Sequence, residues 1–135
     1  MNNEQAVSKQ RKHIGELHPE VKDWISYCMF VKDEVKTLNL RLGEIIGKYT
    51  DHGVQAQVEH FQNQFIRQRE VIDEVKHNIK ASENELQAFA TSHNEIAIGH
   101  ALFADHVELR EEMDTFKKLY SELKDEFRHF LAKWM

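Results

Sequence analysis

Nine histidines and 23 acidic residues give this chain the ligand types that a metal centre needs. A di-iron centre in a helical bundle is built from inward Glu-x-x-His pairs on two helices. Two such pairs occur, Glu74 with His77 and Glu126 with His129. Glu70 with Asp73, Glu111 with Asp114, and Glu122 with Asp125 have the spacing that would offer two carboxylates to a magnesium ion. The His-x-x-x-His and His-x-x-x-Glu pairs of a hemerythrin-type oxygen site are absent. Each surviving pair is chemically useful only if it faces inward. The elements that carry the pairs decide that.

Those elements are three apolar stripes. The first is Val21, Trp24, Cys28, Val31, Val35, Leu38, Leu42, Ile45, Tyr49. Its steps alternate three and four, which is a heptad seam with apolar a and d positions. The second is Val54, Val58, Phe61, Phe65, Gln68, Ile72, Val75, Ile79, Ser82, Leu86, Phe89. The third is Gly99, Leu102, His106, Leu109, Met113, Phe116, Tyr120, Leu123, Phe127, Phe130, Trp134. Three stripes joined by short turns must run up, down and up. The expected fold is all-α, a long antiparallel three-helix, coiled-coil-like bundle over about 19–50, 53–91 and 94–134. It resembles the spectrin-repeat type of bundle, an analogy of fold that carries no function.

The heptad phase turns the chemistry outward. Val75 at d puts Glu74 at c and His77 at f; Phe127 at a puts Glu126 at g and His129 at c. The carboxylate pairs fall at b, c and f, where they read as a solvated helix surface. No Gly-rich phosphate loop is present. Cys28 lies in a seam, where a thiol is usually inert. The expectation is no enzyme, no cofactor and no metal.

Three seam positions are polar: Gln68, Ser82 and His106. Gln68 and Ser82 read either as register-fixing core residues or as a snorkelling glutamine and a small filler. His106 reads as a core-edge histidine satisfied by backbone, water or a nearby polar group. The sharper reading is a pH-sensitive joint, because imidazole titrates near neutrality and burial opposes its charging.

The ends of the helices carry their own signals. Pro19 has no N–H and is tolerated in a first helical turn, so the main helix is expected to open there. Residues 1–18 form a separate segment, flexible or carrying a short extra helix near Ser8–Leu17, ahead of the bundle domain 19–135. Thr50-Asp-His-Gly53 supplies an N-cap aspartate and a glycine suited to a left-handed cap. Ser92 with Glu95 matches a capping box before the third helix.

Composition bounds the function classes. The formal charge of −5, from 18 basic and 23 acidic residues, argues against a nucleic-acid surface. The polar start, Met1 to Lys12, does not read as a secretory signal, and no apolar run is long enough to span a membrane. A single cysteine cannot form an internal disulfide, which points to the cytoplasm.

Apolar residues overflow the seams at one end. Ile25 and Tyr27 flank the first seam, and Met29 and Phe30 fall at b and c, away from it. Ile96, Ile98, Phe103 and Val107 surround the third. Trp24 is expected level with Ile79 and His106, which brings these groups together. Such a patch asks for a cover: the amino-terminal segment, a second copy, or a foreign protein. The expected function is a non-enzymatic interaction or structural module. It self-associates, most simply as a dimer, through Tyr27, Met29, Phe30, Phe103 and Val107. The alternative is a bundle that binds a metal or small ligand.

Overall fold

The structure, a computed structural model, describes residues 17–91 and 96–135, with the side chains of 86, 89–91 and 96–104 outside that description. It is an all-α three-helix bundle of α1 (His18–Ile46), α2 (His52–Thr91) and α3 (Ile96–Trp134). No strand occurs among the described residues. The expected short helix near Ser8–Leu17 and the Ser92–Glu95 capping box lie outside the described residues, apart from Leu17 itself.

The heptad pattern accounts for the core. Every a and d side chain that is described is buried, except Leu38, Tyr49, Ser82 and Trp134, which are half-buried. Ser82 therefore sits at the margin of the core, while Gln68 and His106 lie within it. Burying one large apolar side chain contributes ~1.5–3 kcal/mol, most of it offset by the entropy of ordering the chain.

Pro19 stands in the first turn of α1, as its missing N–H requires. The Val21 N–H bonds the Leu17 carbonyl at 3.0 Å, so the ladder starts without needing a proline donor. The other end of α1 departs from expectation. The helix stops at Ile46, four residues before Thr50. Gly47 follows at once and is a poor helix residue, and the Lys48 N–H bonds the Ile45 carbonyl at 3.0 Å in a tight turn. Tyr49, the last member of the first stripe, thus leaves the helix.

Asp51 caps α2. Its Oδ1 accepts from the Gly53 N–H at 2.7 Å and the Val54 N–H at 3.2 Å, two of the donors that a helix start leaves unpaired. The expected left-handed glycine is not found: Gly53 lies inside the first turn of α2, and no described glycine has positive φ. Its small size serves another purpose, since a Cβ there would stand 3.0 Å from Asp51 Oδ1.

Within the expected bundle domain, the chain divides into two compact units, each drawing on all three helices. Unit 1 takes α1 up to Tyr27 with Val75–Asp114, and unit 2 takes Cys28–Glu74 with Thr115–Met135. The core of unit 1 includes Val21, Trp24, Val75, Ile79, Leu109 and Met113. That of unit 2 is built around Phe61, Phe65, Phe127 and Phe130. Phe127 meets both Phe61 and Phe65 edge-on at 5.0 Å, the geometry that ring quadrupoles favour.

Candidate functional site

In unit 1 the first turn of α1 supplies Glu20, at heptad g, and α3 supplies His106 at a and Arg110 at e. Arg110 grips Glu20 with two hydrogen bonds, from Nε to Oε1 at 2.6 Å and from Nη2 to Oε2 at 3.0 Å. This bidentate fork is the strong form of an ion pair. His106 has no exposed surface, and its Nε2 lies 3.5 Å from the same Oε1. The imidazole stacks on Trp24, with centroids 4.9 Å apart and 24° between the planes. Trp24 and His106 are thus level, as the antiparallel bookkeeping requires. The Arg110 hydrogen bond holds the Glu20 carboxyl below its usual range, against desolvation, with the charges of Arg110 and His106 assisting.

Unit 2 contains the same arrangement. Glu34, again at g, accepts from the Tyr120 hydroxyl at 2.6 Å and pairs with Lys124 Nζ at 2.8 Å. Tyr120 is at a and Lys124 at e, so ring and cation occupy the positions of His106 and Arg110. Desolvation pushes the Glu34 carboxyl up, but the Lys124 and Tyr120 hydrogen bonds and the Lys124 charge outweigh it, and the net displacement is downward. Each carboxylate ties α1 to α3 at the edge of a core. Both act as fasteners between helices.

The residues whose types and spacing match metal-ligand pairs are exposed, as their heptad phase predicts. Glu74, His77, Glu126 and His129 are all on the outer face, as are the three carboxylate pairs. His129 Nδ1 lies 2.7 Å from the Asp125 carbonyl of its own helix. Among the described residues no group of three His, Cys, Asp or Glu is placed to hold a metal ion. Unit 2 also has an open cleft of about 310 Å³, lined by Ala56, Gln57, His60, Phe61, Glu126 and Phe130. His60 Nε2 faces Glu126 Oε1 across 3.4 Å, with both side chains about half exposed. The cleft buries no polar group and offers no catalytic pair screened from water.

The expected interface residues divide by exposure. Met29 is 56% and Phe30 55% exposed, side by side on the outward face of α1. Tyr27 and Val107 are half-buried. The side chain of Phe103 lies outside the described residues. Exposed apolar side chains are not confined to the expected end, because Leu40, Ile46, Ile66 and Leu119 are also open to solvent.

The spacing of candidate ligands did not single out Glu20, Arg110, Glu34 or Lys124. The signal was their heptad position, since g and e residues flank a seam and pair across neighbouring helices. The sequence repeats that signal: Glu20 and Glu34 are two heptads apart, and so are Arg110 and Lys124. No family model matches the chain, and no curated protein and no solved structure matches it.

Proposed function

We propose that this protein is a non-enzymatic interaction module of the cytoplasm that associates with a second copy of itself through the outward face of α1. The observation that carries this reading is the exposure of Met29 and Phe30 together, at b and c, where neither serves its own core. Adjacent large apolar side chains left in water mark a contact surface more often than isolated ones do. A self-complementary patch closes a two-fold dimer. The half-buried carboxylates Glu20 and Glu34 support the reading, because their partners are basic side chains of α3 and they serve to join helices. No described helix is long and apolar enough to cross a membrane, and the one cysteine is buried.

The test is the mass of the full chain in solution across a concentration series. Wild type is expected to dimerise. Met29→Glu with Phe30→Glu is expected to give a folded monomer with unchanged helical signal. Deleting residues 1–16, which keeps the buried Leu17, separates the rival cover. A dimer that survives the deletion supports self-association. A monomeric full chain that turns sticky on deletion assigns the patch to the amino-terminal segment and overturns the proposal.

A further inference from the structure

The outward face of α1 in unit 2 runs through Met29, Phe30, Asp33, Lys36, Thr37 and Leu40, at heptad positions b, c, f, b, c and f. All six are exposed, Leu40 at 73%. They lie opposite the buried seam of Val31, Val35 and Leu42. Asp33 and Lys36 enter no ion pair among the described residues, although other charges on the same helix do. The order along the face is apolar, acidic, basic, apolar, and reversing it exchanges the charges while keeping the ends apolar.

The geometry points to an antiparallel pairing of α1 with α1 of a second copy, its two-fold axis crossing between the levels of Glu34 and Val35. This rests on the self-association reading and adds its register. With the axis there, Met29 of one copy meets Leu40 of the other, and Asp33 meets Lys36; symmetry repeats both contacts. A two-fold axis perpendicular to the helices keeps each lateral edge facing its equivalent. The b and f residues therefore meet b and f residues, and Phe30 at c lies beside Thr37 at c. At Gly43, one turn beyond Leu40 on the same face, an added Cβ would meet nothing within 4 Å, so the face is open there. A parallel pairing would set Asp33, at the central f position, against Asp33 and bring the two Lys36 to one level, which like-charge repulsion opposes. The face is short beside a standard interface, so the dimer depends on concentration.

Cross-linking and charge exchange in the full chain test the register. Met29→Cys and Leu40→Cys are made as separate variants, and wild-type mass is measured alongside. Positions 29 and 40 are about 16 Å apart along one helix, beyond the reach of a disulfide. Mixed and mildly oxidised, the two variants are expected to give a disulfide-linked heterodimer, while each alone gives none. Asp33→Lys alone and Lys36→Asp alone are expected to weaken association about tenfold or more, because two attractive pairs become repulsive. The double variant is expected to recover it. All of these sites point to solvent, and an unchanged helical signal confirms folding. Self-linking of each cysteine variant would establish parallel pairing and overturn the register. A wild-type dimer with no cross-link in the mixture and no response to the charge variants would overturn this face while leaving self-association standing. A wild type that stays monomeric at every concentration would overturn both.

Discussion

His106 stacks its fully buried imidazole on Trp24 at 4.9 Å, with Nε2 3.5 Å from a Glu20 oxygen that Arg110 already holds. The ring fills core volume and faces a carboxylate at once. His106→Ala empties a fully buried site and is expected to cost about 2–4 kcal/mol. Urea denaturation followed by tryptophan fluorescence would measure it, and the Trp24 signal should shift as its stacking partner goes. A loss below about 0.5 kcal/mol, the scale of ordinary surface changes, would refute the core role.

Glu34 carries a pH dependence. Its folded-state carboxyl lies below the ordinary value of 4.5, and so does that of Glu20. A depressed carboxylate contributes stability above its unfolded-state value and loses it as pH falls through the folded one. Stability should therefore hold at neutral pH and decline from about 4.5 downward. Thermal melts from pH 7 to pH 3 should show a shallower decline for Glu34→Gln than for wild type. Equal slopes would dismiss Glu34 as a contributor.

Tyr120→Phe removes the hydroxyl that donates to Glu34 and leaves the ring in place. The expected loss is about 1.5–3 kcal/mol at neutral pH, as for a hydrogen bond to a charged group. A loss that persists in the Glu34→Ala background, where the acceptor is gone, would show that the hydroxyl acts elsewhere.

Gln68 is buried, and its Oε1 has no hydrogen-bond partner among the described residues. An unpaired buried amide oxygen costs about 1–3 kcal/mol. Gln68→Leu is expected to raise stability by about 1 kcal/mol, measured by denaturant midpoint at constant slope. A fall in stability would mean that the glutamine sets register through its amide.

The exposed Glu-x-x-His pairs give a negative prediction. His77→Ala with His129→Ala should leave the melting temperature unchanged, with and without added zinc. Stoichiometric zinc in wild type that disappears in the double variant would reinstate the metal reading.

The sequence by itself determined most of the described core, with Leu38, Ser82 and Trp134 only half-buried, because the 3.5-residue period is a local property of each helix. It also placed Pro19 in a first turn and Asp51 at an N-cap, since proline's missing donor and the aspartate's acceptor act within a few residues. It misplaced Tyr49, which continues the stripe by spacing. Its ring instead meets Trp134 at 5.2 Å, and its hydroxyl donates to the Trp134 carbonyl at 2.6 Å. That carbonyl is free because α3 ends there, and the contact spans 85 positions of sequence. Only the tertiary structure decided that Glu20 takes Arg110 and Glu34 takes Lys124. Many charges flank the seams, and at a given level of the bundle more than one of them could meet. The heptads and short turns set Trp24 level with His106. Which of the flanking charges meet depends instead on how the side chains of two helices pack side by side, in contacts across 90 and 86 positions of sequence.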